Sequence, residues 1–137
     1  MNIFEIYLNK IQDLILVNSK ILKIENNISF LGTLVETPPQ KINFDLSSNI
    51  ALVLAKKTKQ SPIVLAENLK KIMLDNLDDF SEISVAKPGF INFRFSTKTY
   101  QKLIINILKI SNKYGSNNKN ESYNIEFVSA NPTGPMH

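Results

Sequence analysis

Histidine occurs once in this chain, at His137, behind a run of small, rigid and turn-forming residues. The run is EFVSANPTGPMH, residues 126–137. Pro132 and Pro135 fix their own φ and push Asn131 and Gly134 towards extended conformations. Thr133 and Gly134 allow a tight turn between them. Upstream, Tyr123, Ile125 and Phe127 alternate with Asn124 and Glu126, which predicts a strand over 122–128. A stiff loop leaving the carboxyl end of a strand is where open α/β sheets hold ligands. On pattern alone, such a run is more often a simple turn, and a lone His more often a solvated side chain.

A second constellation is Phe90, Asn92 and Arg94, in the stretch FINFRF. Alternation places these three on one face of a strand and Ile91, Phe93 and Phe95 on the other. An aromatic ring can stack on an unpaired base, an amide can pair with a base edge, and a guanidinium can hold a phosphate. A packed Phe90 beneath a neighbouring helix, with an ordinary surface Arg94, accounts equally well for the three residues.

Composition narrows the chemistry. There is no cysteine, which excludes disulfides and thiolate metal sites, and a single His argues against zinc. Asp75, Asp78, Asp79 and Glu82 are clustered but lack the Gly and the alternation of a calcium loop, so they read as a solvated connector. No apolar run is long enough to span a bilayer, and the N-terminus alternates apolar and polar residues, unlike a signal peptide. A cytoplasmic protein is expected. A net charge of +4 suits a polyanionic partner.

The positioning elements follow from periodicity. Phe4, Tyr7, Leu8, Ile11, Leu14 and Ile15 predict a helix over 3–17. A short strand is expected at 33–37, stopped by Pro38 and Pro39. The apolar run 50–55 reads as a buried helix over 48–58, with Asp45, Ser47 and Ser48 as cap chemistry. Ser61 and Pro62 open a helix to about residue 74. Strands are predicted over 82–87 and 90–95, around Pro88 and Gly89. A last helix over 97–113 is expected to turn Tyr100, Leu103, Ile104, Ile107 and Ile110 inward, with Lys98, Lys102, Lys109 and Lys113 as a solvated stripe. The polar stretch 114–121 reads as a linker. The fold class is therefore α+β: helices on a small, mainly antiparallel sheet over 1–113, a linker over 114–121, and a first strand with its loop over 122–137.

EFVSANPTGPMH resembles the signature segment of the arginyl-tRNA synthetase family of class I aminoacyl-tRNA synthetases. In that family the segment runs on into the His-x-Gly-His motif that opens a Rossmann-like catalytic domain, and His137 matches its first His. VETPP, FDLSSN and KPGFINFRF resemble the family's N-terminal additional domain, although Phe44 and Ser48 stand where Gly and Thr are usual. The resemblance implies ATP-dependent activation of L-arginine and its transfer to tRNA(Arg), with Mg2+ accompanying ATP, in a monomeric enzyme. It implies that His137 stabilises the reacting α-phosphate and that Asn131, Ser129 and, more weakly, Glu126 help hold arginine. Backbone around Gly134 and Pro135 would shape the ATP pocket, and Phe90 and Asn92 match positions that contact the tRNA elbow. It also implies a truncated catalytic domain, hence a fragment inactive by itself. A free-standing RNA-binding domain without catalysis is the alternative. Another class I nucleotidyl-transferring enzyme is disfavoured, because VETPP and KPGFINF match this family's own N-terminal domain.

Overall fold

Six residues of one central strand sort the molecule into a core side and an open side. The computed structural model describes residues 2–116, 122 and 124–126. Its strands are β1 (Val35–Glu36), β2 (Leu46–Ser48), β3 (Phe80–Ala86) and β4 (Phe90–Phe95), paired antiparallel in the order β1-β2-β4-β3. Pairing sets Leu46 and Ile83 beside Phe93, and Ser48 and Val85 beside Ile91, so these side chains share the inner face. A bulge between Phe80 and Glu82 keeps Phe80 on that face opposite Phe95.

Three helices bury that face. In α1 (Ile3–Val17), Tyr7, Ile11 and Ile15 recur at every fourth position and are buried. The Asn2 side chain caps this helix, accepting the Phe4 N–H at 3.1 Å. In α3 (Ile50–Thr58), Ile50, Ala51, Leu54 and Ala55 face inward. In α4 (Pro62–Asn76), Leu65, Ala66, Leu69 and Met73 do so, after a proline in the first turn where no donor is lost. A single turn, α2 (Ser19–Leu22), closes the end of α1. Tyr7, Phe80, Phe93 and Phe95 form one aromatic cluster with ring centroids 4.8–5.6 Å apart.

The α+β class and the antiparallel sheet are as expected, with three local differences. First, Asp45 and Ser47, foreseen as caps, serve the sheet instead: Ser47 lies within β2 and Asp45 just before it. Asp45 accepts the Phe95 N–H at 2.7 Å and the Tyr100 hydroxyl, so it ties the β2 entrance to the end of β4. Of the three, Ser48 alone caps, accepting the Ile50 N–H and donating to the Leu34 carbonyl. Second, Asp79 is no solvated connector, for Lys10 pairs with it at 2.8 Å and its side chain is 13% exposed. Third, α5 (Thr97–Ile110) buries only Thr99: Ile104, Ile107 and Ile110 are exposed, Leu103 is half-buried, and Tyr100, though exposed, sets its ring edge-on against Phe95 of the core at 5.6 Å. A 3-10 turn, Ser111–Lys113, follows it. Ser122, Asn124, Ile125 and Glu126 carry no regular structure, and the rest of the expected 122–128 strand lies outside the described residues.

Two predictions come from this frame. Gly89 has φ +148°, and a Cβ there would sit 2.9 Å from the Pro62 Cβ. Gly89→Ala is therefore expected to lower the unfolding free energy by about 1–3 kcal/mol in urea titrations. The second concerns Tyr100, whose hydrogen bond to Asp45 and partial burial push its pKa up from 10.0 to about 12. A raised folded-state pKa stabilises fully below the unfolded value and is lost as pH rises through the folded one. Melting curves of wild type and Tyr100→Phe should differ below pH 10, with wild type the more stable, and converge by about pH 12.

Candidate nucleic-acid interface

The outer face of the sheet is polar where the inner face is apolar. Cross-strand pairing lays Glu36, Ser47, Asn92 and Ser84 in one row, strand by strand. The next rows set Ala86 beside Phe90 on one side and Glu82 beside Arg94 on the other. None of the helices that bury the inner face covers this row.

A cleft of about 210 Å3 opens over it, lined by Glu36, Pro39, Ile42, Ser47, Ala86, Lys87, Phe90 and Asn92. Pro39 and Ile42 come from the connection between β1 and β2, and Lys87 from the turn between β3 and β4. Asn92 is only 4% exposed and Ser47 only 5%, yet neither side chain hydrogen-bonds to another described residue. No fully buried side-chain nitrogen or oxygen lacks a partner among the described residues, so these polar atoms still reach solvent through the cleft. The cleft thus has a floor with one amide and one hydroxyl to spare and an aromatic ring at its side. Such a site fits a flat heterocycle with mixed donors and acceptors. Glu36 and Lys87 add one charge of each sign at exposed positions.

The sequence-derived candidates divide here. Phe90 and Asn92 come together in the cleft. Arg94 shares their face but does not line the cleft; its Nε donates to Glu82 at 3.0 Å and its guanidinium lies 5.0 Å from the Phe44 ring centroid. Glu126 is exposed and is not one of the residues that line the cleft. His137, Asn131, Ser129, Gly134 and Pro135 lie outside the described residues. Sequence reasoning missed Ser47 and Glu36, because nothing local announces that a three-residue strand pairs with β4. Among the described residues, no group of three or more His, Asp or Glu side chains converges as a metal site would require. Among them, too, no helix is long and apolar enough to cross a membrane.

Comparison with known proteins agrees with the motif. A family model described as "Arginyl tRNA synthetase N terminal domain" matches residues 9–95, from the middle of α1 to the last residue of β4. The whole chain is 44% identical to the arginine–tRNA ligase of Pelagibacter ubique, covering 24% of that protein. It is 42% identical to the arginine–tRNA ligase of Rickettsia akari and 40% identical to that of Rickettsia prowazekii, covering 23% of each. The chain therefore spans about a quarter of the length of the curated relatives it matches.

The unpartnered amide makes a stability prediction. Asn92→Ala should change the unfolding free energy by less than about 1 kcal/mol, because its side chain has no hydrogen bond to lose among the described residues. Ser48→Ala removes two and should cost about 1–3 kcal/mol, both measured by urea denaturation.

Proposed function

The chain belongs to the arginyl-tRNA synthetase family, and on that premise we propose that it is the N-terminal part of an arginine–tRNA ligase, contributing the contact with tRNA(Arg). The observation that carries this reading is whole-chain identity of 40–44% with ligases from several bacteria. In the proposed reaction, the carboxylate of L-arginine attacks the α-phosphate of ATP. The bond to the β-phosphate breaks and pyrophosphate leaves. A terminal ribose hydroxyl of tRNA then attacks the carbonyl, and AMP departs. Mg2+ enters with ATP as part of the substrate.

This chain supplies two parts of that machinery in the proposal. Residues 122–137 are the start of the catalytic domain. There His137 donates to the α-phosphate as charge accumulates, and Asn131, Ser129 and Glu126 orient arginine. The backbone near Gly134 and Pro135 shapes the nucleotide site. The 1–113 unit is the tRNA-binding domain, joined by the polar 114–121 linker. Within it, the cleft takes one unstacked base of the tRNA, with Phe90 stacking and the Asn92 amide pairing on the base edge. Arg94 sits beside the cleft on the same face as a phosphate-facing cation. By itself the 137-residue chain binds tRNA and does not aminoacylate. The working compartment is the cytoplasm and the whole enzyme is a monomer.

The free-standing RNA-binding alternative uses the same cleft and differs only in lacking a catalytic continuation. Binding of tRNA(Arg) to the 137-residue chain, followed by fluorescence anisotropy, tests the shared part. Stacking contributes about 1–3 kcal/mol per base, so Phe90→Ala with Asn92→Ala should weaken binding by at least about tenfold. Equal binding by parent and double variant would overturn the base contact. Arginine-dependent exchange between ATP and pyrophosphate, assayed in the continuous open reading frame, separates ligase from binding module.

A further inference from the structure

Helix α5 is amphipathic, yet the described residues leave its apolar side uncovered. Ile104 is 55% exposed, Leu108 71% and Ile107 36%, while Tyr100, whose ring meets Phe95, keeps 43% exposed. At about 100° per residue these four fall within one arc, and Lys98, Lys102 and Lys109 fall opposite it. The arc carries no charge.

The helix is fastened only at its beginning. Ser96 caps it by accepting the Thr99 N–H, Thr99 donates to the Asp79 carbonyl at 2.7 Å, and Tyr100 reaches Asp45. Beyond Tyr100, no α5 side chain makes a hydrogen bond or ion pair among the described residues. Four isoleucines in fourteen residues give this segment a poor intrinsic helix propensity. A helix this short depends on packing for its stability, so a covering surface is required.

Two observations say which surface. The family match ends at Phe95, so α5 is the first element beyond the matched domain. The relatives are about four times as long as this chain, which leaves a large remaining polypeptide to cover it. We propose that the apolar arc of α5 is the seat of the polypeptide that follows this segment in the ligases. An uncharged surface of that remaining part packs along Tyr100, Ile104, Ile107 and Leu108. The inference rests on reading the chain as part of a longer ligase.

The test uses the 137-residue chain and a chimera in which it replaces the matching quarter of the Pelagibacter ubique ligase. Hydrogen–deuterium exchange of the α5 amides is followed in both. The expected result is exchange at least about tenfold slower in the chimera, with the difference abolished by Ile104→Glu plus Leu108→Glu. Both side chains are exposed, so the same pair should leave the melting temperature of the 137-residue chain within about 2 °C. Equal exchange of α5 in wild-type chain and chimera would overturn the proposal, and this comparison needs no variant to fold. A chain that sediments as a dimer, and as a monomer once the two glutamates are in place, would also overturn it by assigning the arc to a second copy. Aminoacylation of tRNA by the chimera is read separately. If it charges tRNA while α5 stays unprotected, this inference fails and the ligase reading stands. Protection of α5 without charging supports the docking surface and counts against the ligase reading.

Discussion

The alternation of β4 is the constraint on which the rest of the molecule depends. Ile91, Phe93 and Phe95 are buried beneath helices while Asn92 is the floor of an open cleft, and these residues are immediate neighbours in sequence. A slip of one residue in register would bring Asn92 and Arg94 into the core and expose two phenylalanines. Burying an unpaired guanidinium and amide against Leu46 and Ile83 would be prohibitive. The packing of the core and the chemistry of the open face are therefore fixed by the same pairing, and neither can be altered without the other.

That pairing needs guarding at its ends, and polar side chains from distant segments do it. Asp45 binds the Phe95 backbone and the Tyr100 hydroxyl, joining residues fifty and fifty-five positions apart. The Asn49 amide accepts from Leu34 and donates to Gly32, pinning the loop that leads into β1. Lys10 reaches Asp79 at the start of β3, beside Tyr7, whose phenol is held well above its usual pKa by burial and then by the Asp79 carboxylate. These ties close long loops, so each one limits the freedom of a segment that carries little apolar surface.

Much of this is legible in the sequence because it is periodic. The helices α1 and α4 and the strand β4 each repeat their apolar residues over enough positions to declare their type, whereas the unbroken apolar run of α3 shows no period and reads as helix only through the cap residues before it. The strand β2 is not legible: three residues cannot show a period, and Ser47 and Ser48 carry equal credentials as helix caps. With β2 goes the cleft floor, since Ser47 is placed beside Asn92 by pairing across forty-five residues. The apolar period of α5 is plain in the sequence, but the core of this domain is not its partner. Periodicity states that a face will be covered and is silent about what covers it.

The cleft floor departs from the rule that buried polar groups find partners, and the departure is informative. Asn92 and Ser47 sit at 4% and 5% exposure with no side-chain hydrogen bond among the described residues, while Ser48, one residue along and on the opposite face, makes two. A fully enclosed, unpaired amide would cost about 1–3 kcal/mol. The cleft avoids that cost by keeping water within reach of both groups, so the free protein remains stable with its donors and acceptors unused. A ligand that displaces this water must return the same hydrogen bonds to recover their energy. A purely apolar occupant could gain from the Phe90, Pro39 and Ile42 walls but would strand the amide beneath it. The walls therefore favour any flat ring, and the floor narrows that set to rings with polar edges, which is the distinction the proposed base contact requires.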